Sequence, residues 1–255
     1  MLVPKLVGGL GNMMWTLSST YALSKRYGHA FALKDIPIPP AKHSNIDYKT
    51  NILKQWVQFI RQPVITMHCS SENQELVNST IQKNISETIF LGAYLQNYEF
   101  IRGFDDEIRT MFEFESTVLN RYLDTDHGYF LQVRRGDFLQ YDIHNLDLDN
   151  YYKRCVKRFP SSNVIHIVSN DMPWCQSWQF LDDYRCIFVE ENEVDTLAVM
   201  TECAMGGVSA NSTFGWWGLF LNVRRPILCM PELFFKNGAY SEFQYEFPGS
   251  ELVPI

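Results

Sequence analysis

Basic residues are in short supply: 22 Lys and Arg against 29 Asp and Glu leave a net charge of −7. That balance argues against a chain that grips nucleic acid or an anionic membrane through a general basic field, while leaving room for a local basic pocket. Long apolar runs are missing too. None reaches the roughly 18 residues of a membrane span, and Met1-Leu2-Val3-Pro4-Lys5 is interrupted too early for a signal peptide. Six cysteines (Cys69, Cys155, Cys175, Cys186, Cys203, Cys229) form no C-x-x-C pair, which removes the usual zinc and redox spacings. Several lie in apolar runs, as reduced core thiols do. These features lead us to expect a cytoplasmic protein without a membrane span. The sequons Asn78-Ser79-Thr80 and Asn84-Ile85-Ser86 matter only in a secretory chain and are set aside. G-x-S-x-G, H-E-x-x-H and P-loop motifs are absent, as are internal repeats.

What is present is a chain of 255 residues, 46% hydrophobic and 15% aromatic, which is ample for a large core. A strand over residues 5–7 leads into Gly8-Gly9-Leu10-Gly11-Asn12, a helix over 13–27 closed by Gly28, and a strand over 29–33. The glycine-rich turn is not G-x-G-x-x-G, but it lets a ligand meet bare backbone, and Asn12 can offer it an amide. Residues 36–90 are irregular, with Pro37, Pro39 and Pro40 as breakers and a helix expected over 48–61. A strand at 89–91 and a helix over 99–114 complete the first half. The polar stretch 124–128 marks the boundary between a domain of residues 1–125 and one of residues 126–255. The second half continues with strands at 129–133, 164–168, 187–189, 206–209 and 227–231, and helices over 151–159, 195–205 and after 213. Such alternation predicts an α/β fold with parallel sheets, whose ligands sit at the carboxyl ends of strands. Four polar clusters occupy such ends: 8–12, 134–137, 169–171 and 211–213.

The stretch Ala210-Asn211-Ser212-Thr213-Phe214-Gly215-Trp216-Trp217-Gly218 reads as strand, small polar turn and helix. Ser212 and Thr213 are expected to cap the helix through their side chains, and the remaining first-turn N–H groups suit an anion. An ordinary capped helix with a Trp-rich packing face is the alternative. Arg134-Arg135 follows a strand, so the two side chains point to opposite faces. One is expected at the ligand and the other against a carboxylate, with Asp137 as candidate; a purely structural Arg–Asp bridge is the alternative and, from this pair alone, the slightly preferred one. Arginine suits a diphosphate because its planar fork binds two oxygens at once. Together with a helix start it can stabilise a diphosphate leaving group without a metal. Asp124-Thr125-Asp126 and Asp147-Leu148-Asp149 have the D-x-D shape of metal-dependent sugar transferases, but the pattern is common in acidic chains, and no metal site is expected.

The ordered motifs resemble those of glycosyltransferase family 11, the α-1,2-fucosyltransferases. The family's G-G-L-G-N-Q-M-F is here Gly8-Gly9-Leu10-Gly11-Asn12-Met13-Met14-Trp15, and its H-x-R-R-G-D-Y is Gln132-Val133-Arg134-Arg135-Gly136-Asp137-Phe138. Its S-D-D before a Trp is Ser169-Asn170-Asp171-Met172-Pro173-Trp174, and its A-N-S-T-F-S-W-W-G is residues 210–218, preceded by a helix carrying Asp195. Gly92-Ala93-Tyr94-Leu95-Gln96 is similar to its G-Y-x-Q segment. The resemblance implies a GT-B-like fold of two Rossmann-like halves facing a central cleft. It implies inverting, metal-independent transfer of fucose from GDP-fucose to the 2-hydroxyl of a terminal galactose-type acceptor, with no cofactor beyond the donor. It places Arg134 on the diphosphate as the residue needed for activity, with Ser212, Thr213 and Phe214 beside it. It further implies Asp195 at guanine, Asn12 at the sugar or diphosphate, and Gly9, Gly11, Gln132, Arg135, Asp171 and Asn211 around the donor. Asp137 and Asp142 are the candidate bases, Asp137 more often a brace for the arginines. Gln132 replaces the motif histidine, Asn170 the first Asp, and Met13 the Gln. These departures keep two alternatives open: a fucosyltransferase of different linkage, or a non-catalytic nucleotide-sugar or glycan-binding protein.

Overall fold

The computed structural model describes residues 1–37, 46–224, 226–239 and 244–255. Pro39 and Pro40, expected as breakers, lie outside them. The chain forms two compact units, one of Met1–Phe114 with Glu242–Tyr245, the other of Glu115–Ser241 with Glu246–Ile255. Residues 115–125 therefore go with the second unit, before the boundary expected at 125/126. They are bonded into it: the Ala204 N–H donates to Thr125 O, Arg185 pairs with Asp124 at 2.6 Å, and the Tyr122 hydroxyl donates to Glu191.

In the first unit, β1 (Leu2–Pro4), β3 (Ile89–Leu91) and β2 (Met67–Cys69) form a parallel sheet in the order β1-β3-β2. The first strand is residues 2–4 rather than 5–7, because fully buried Leu2 and Val3 pair with Ile89 and Phe90 while Lys5 is already exposed. Helix α1 (Leu10–Tyr27) starts earlier than expected and takes Gly11 and Asn12 into its first turn. It ends at Gly28, left-handed at φ 70°, which a residue with a Cβ would resist. Its Tyr21 meets Phe31, Trp56 and Phe59 in an aromatic cluster, with ring centroids 5.5–5.8 Å apart. The region expected as a helix over 48–61 is instead two short 3-10 segments, Tyr48–Thr50 and Lys54–Phe59, that seat Trp56 in this cluster. Helix α2 (Gln74–Lys83) is capped by the Asn73 side chain. The helix expected over 99–114 is two, α3 (Tyr98–Ile101) and α4 (Asp105–Met111), broken at Gly103 with φ 87°.

The second unit is built on a parallel sheet in the order β6-β5-β4-β7-β8-β9. Its strands are β4 (Gly128–Val133), β5 (Val164–Ser169), β6 (Cys186–Val189), β7 (Gly206–Val208), β8 (Ile227–Pro231) and β9 (Glu251–Val253). Helices α5 (Asp149–Val156) and α6 (Met172–Ser177) pack on one face against Tyr129, Leu131, Val133, Ile165 and Ile167. Helices α7 (Glu193–Glu202) and α8 (Thr213–Leu221) lie on the other, where Phe130, Gln132 and His166 point. The two-residue alternation of β4 and β5 thus sorts the side chains between two helical layers. Helix α8 is apolar on all sides because it is buried on all sides, with Trp216, Trp217 and Phe220 all fully buried. The expected α/β class with parallel sheets is what the chain adopts.

Candidate active site

The carboxyl end of β4 opens the site. Gln132 points to the α8 face, only 3% exposed, and its amide oxygen accepts the Ala210 N–H at 3.0 Å. A Cβ on Gly215 would stand 2.0 Å from that oxygen. The residue replacing the motif histidine is therefore committed to holding the 210–215 turn on the sheet, so its acceptor is turned to the chain rather than to a ligand.

Arg134 follows on the same face by alternation. Its Nη2 reaches Asp137 at 2.7 Å, and its guanidinium lies 4.9 Å over the Phe138 ring. Arg135 turns the other way, with Nε 3.2 Å from Asp171 and the guanidinium 4.1 Å over Trp174. Each arginine thus has a carboxylate and an aromatic plane. Asp137 braces Arg134, not its neighbour, and Asp171 is taken by Arg135. Asn170 knits the two together: its Oδ1 accepts the Arg135 N–H at 2.9 Å and its Nδ2 donates to Asp137 at 3.1 Å. An aspartate at 170 lacks that donor and would oppose Asp137, which gives the departure from S-D-D a local reason. Gly136 sits at φ 31°, and a Cβ there would lie 2.3 Å from Asn170 Nδ2 and displace that amide.

The register of β4 on β7 pairs Phe130 with Gly207 and Leu131 with Val208. The Gln132–Ala210 bond carries this pairing to the carboxyl ends of both strands, from which Arg134 and the 211–213 turn depart. Ser212 occupies the N-cap of α8 in an extended conformation, but its side chain makes no capping bond, contrary to expectation. The Phe214 and Gly215 N–H groups have no acceptor among the described residues. Thr213 and Phe214 are partly exposed, so the start of α8 is open to a ligand. Asn211 behaves otherwise. It is 4% exposed and donates both amide hydrogens, to His144 O and Phe234 O, each at 3.0 Å. It ties two loops together and has no donor left for a nucleotide.

The remaining expected residues are placed as follows. Asp195 lies in the first turn of α7, where its carboxylate accepts from the Ser116 hydroxyl at 2.7 Å and from Asn192 Nδ2 at 2.5 Å. Asp142 is largely exposed and ion-paired with Lys236 at 2.5 Å. Both D-x-D pairs are engaged within the chain: Asp124 with Arg185, Asp126 with Arg224, Asp149 with Lys153, and Asp147 with the Asp149 N–H. Among the described residues no group of three or more His, Cys, Asp or Glu is arranged to hold a metal.

In the first unit, Gly8 has φ 82° and exposed Gly9 has open space where a Cβ would sit, so bare backbone is presented at the start of α1. Gly11 is buried in the first turn. Asn12 is oriented by Gln96, whose Nε2 donates to Asn12 Oδ1 at 3.1 Å. Gln96 belongs to the 92–96 segment, held by Glu72, whose carboxylate accepts the Tyr94 and Leu95 N–H groups at 2.6 and 2.7 Å. Burial pushes the Glu72 carboxyl upward from its usual range, opposed by those N–H groups.

A pocket of about 460 Å³ adjoins Arg134 and Arg135 within the second unit. Its wall includes Phe138, His144, Leu146, Tyr152, Trp174 and Lys236. None of these was singled out for a role from the sequence; only Phe138 and Trp174 stood within quoted motifs. His144 is stacked on Phe138 at 4.6 Å, and burial holds its imidazole below the ordinary histidine range, so it is neutral near pH 7.

The family model described as Glycosyl transferase family 11 matches residues 5–246. The Escherichia coli Alpha-1,2-colitosyltransferase is 22% identical over 281 residues, covering 95% of each chain. The E. coli O-antigen biosynthesis glycosyltransferase WbnK is 26% identical over 175 residues, covering 60% of this chain and 57% of its own. Among solved structures, an Arabidopsis thaliana FUT1 mutant in complex with GDP aligns with a TM-score of 0.47 at 15% identity, covering 91% of this chain and 71% of that one. NodZ α-1,6-fucosyltransferase soaked with GDP-fucose aligns with a TM-score of 0.45 at 13% identity, covering 86% and 91%. No helix among the described residues is long and apolar enough to cross a membrane. With the family match running almost end to end, and with its signature segments at the strand ends just described, the chain belongs to glycosyltransferase family 11.

Proposed function

We propose that the protein transfers fucose from GDP-fucose to the 2-hydroxyl of a terminal galactose-type acceptor, with inversion and without a metal. The observation that carries this reading is Arg134. Its guanidinium is braced by Asp137 through Nη2 alone, at the carboxyl end of the strand that Gln132 joins to the turn before α8, in a chain of family 11. As the bond from the anomeric carbon to the diphosphate breaks, negative charge grows on the leaving oxygens. A fixed guanidinium and the first-turn N–H groups of α8 meet that charge without reorganising. Asp137 in this reading orients Arg134 and is not the proton acceptor. Asn12, held by Gln96, is assigned to the donor sugar or diphosphate.

A second reading concerns the donor. The relative that aligns over 95% of this chain is named a colitosyltransferase, so a GDP-linked colitose is the competing donor at the same diphosphate site. The test supplies purified protein with GDP-fucose or GDP-colitose, lactose as acceptor, and EDTA. GDP release with formation of an α-1,2-fucoside is the expected result. Preference for the colitose donor would replace the assignment of the sugar, and loss of activity in EDTA would remove the metal-independent mechanism. GDP alone should raise the melting temperature through binding to the native state. Binding of GDP without any turnover would favour the non-catalytic alternative.

A further inference from the structure

We infer that the pocket beside Arg134 is the acceptor subsite and that it takes a neutral saccharide ring. This rests on the transferase reading above, which leaves the place of the acceptor open. The volume, about 460 Å³, lies within the range of about 300–1,000 Å³ that small-molecule sites occupy. The wall comes from the β4–α5 loop, α5, α6 and Lys236, and the 211–213 turn contributes nothing to it. The pocket shares Arg134 with the assigned diphosphate position and extends from it along the β4–α5 loop.

Two properties decide the chemistry of the occupant. The first is unsatisfied hydrogen bonding. Arg134 Nε and His144 Nδ1 are buried with no partner among the described residues. The Tyr152 hydroxyl is approached by the Arg134 backbone N–H and has no acceptor for its own hydrogen among the described residues. Buried polar groups left in this state are uncommon in folded proteins, and three of them share one pocket wall. A ligand seated there reaches them by small side-chain adjustments of the kind common on binding. Sugar hydroxyls, which both donate and accept, match this mixed set.

The second property is charge. Apart from Arg134, which is assigned to the diphosphate, each cation of the wall already has a carboxylate: Arg135 with Asp171, and Lys236 with Asp142. Asp147 adds a negative charge to the lining. The wall therefore presents hydrogen bonds without an unbalanced positive field, which favours a neutral ring over a second phosphate. Val133, Leu146 and Leu148 supply an apolar floor for the C–H face of that ring.

The test is saturation-transfer NMR with methyl β-galactoside on the full chain, comparing wild type with Leu146→Trp, which fills the pocket, and Tyr152→Phe, which removes only the hydroxyl. Wild type should bind the galactoside, Leu146→Trp should lose the signal, and Tyr152→Phe should bind about 3- to 10-fold more weakly. The melting-temperature rise with GDP should be the same in all three. Equal galactoside binding in wild type and Tyr152→Phe overturns the inference, as does displacement of the galactoside by inorganic phosphate or no binding to wild type at all. If Leu146→Trp does not fold, Tyr152→Phe decides. If GDP fails to stabilise wild type, the donor assignment falls while the galactoside titration still judges the pocket.

Discussion

The two faces of the six-stranded sheet meet at Arg134 and Arg135, which are neighbours in sequence and differ in surroundings. On the α5/α6 face, beneath Arg135, the core is a conventional apolar layer of Leu131, Val133, Ile165, Ile167 and the tyrosines of α5. On the α7/α8 face, beneath Arg134, the strands bury polar groups as well: Gln132, His166, Ser209 and Asn211 are each at most 4% exposed. Buried polar groups fix geometry because each must find a partner. Gln132 finds Ala210 and Asn211 finds two loop carbonyls. The face that carries the proposed diphosphate site therefore fixes the 210–211 turn by buried amide side chains. The opposite face is mainly an apolar layer, tied to the strand ends through the Tyr151 hydroxyl, which donates to Ser209 O and Cys229 O.

The comparison breaks most visibly at Trp217. It is fully buried under α8 and packs edge-on to Trp216 and Phe220. Replacing it with Ala should lower the unfolding free energy by about 3–5 kcal/mol in urea titration, with lost activity following lost folding. A folded but inactive variant would instead place the indole in the chemistry.

Next in size is the contrast between the arginines. Arg134→Ala should lower kcat by on the order of 100- to 1,000-fold, as removal of a transition-state donor does, with little change in melting temperature. Arg135→Ala should cost less activity and more stability, because it strips the cation from Trp174 and leaves Asp171 without its counter-charge. Similar kinetic losses in both would erase the distinction between the faces.

His166 sharpens it further. The ring is fully buried on the α7/α8 face, with Nδ1 3.7 Å from Cys203 Sγ, and burial lowers its pKa from 6.5 to about 4. The unfolded chain therefore takes up a proton at a higher pH than the native one. The associated stability is present above pH 6.5 and is lost as pH falls towards about 4, a loss on the order of 3 kcal/mol. His166→Gln should flatten the stability profile across that window; an unchanged slope would mean that other groups dominate it.

The smallest expected effect is at Asn211. Asn211→Ala leaves the His144 and Phe234 carbonyls without their donor and should destabilise by about 1–3 kcal/mol. The acceptor KM should rise more than the GDP affinity falls, because both loops border the pocket. An effect on GDP alone would return Asn211 to the nucleotide.

Much of the fold was legible because parallel strands buried on both faces read as short apolar runs ending in polar clusters. The strand at 164–168 and the turn at 210–218 are such cases, and Gly28 marked its helix end as a left-handed cap. What misled was local pattern without tertiary context. The periodicity of 48–61 satisfies a helix, yet the chain there is bent into two 3-10 segments because Trp56 must reach the cluster around Tyr21. The apolar spacing of 99–114 continues through Gly103, where the backbone turns. At the site, the motifs marked Arg134, Asp137 and the 211–213 turn but not their internal roles. Gln132 and Asn211 read as ligand contacts, and the structure shows one amide atom of each engaged within the chain. His144, Tyr152 and Lys236 sit in no motif, since the pocket they line is assembled from loops and helices distant in the chain.

The sequence by itself determined the class of the molecule, its family and the strand ends at which polar residues collect. These follow from periodicity and from motifs carried on contiguous residues. Tertiary structure alone decided which carboxylate braces which arginine, which amides face inward, and where three polar atoms are left unpaired around one pocket. Those outcomes depend on register between strands and on loops that meet only after folding, and no local pattern encodes such distances.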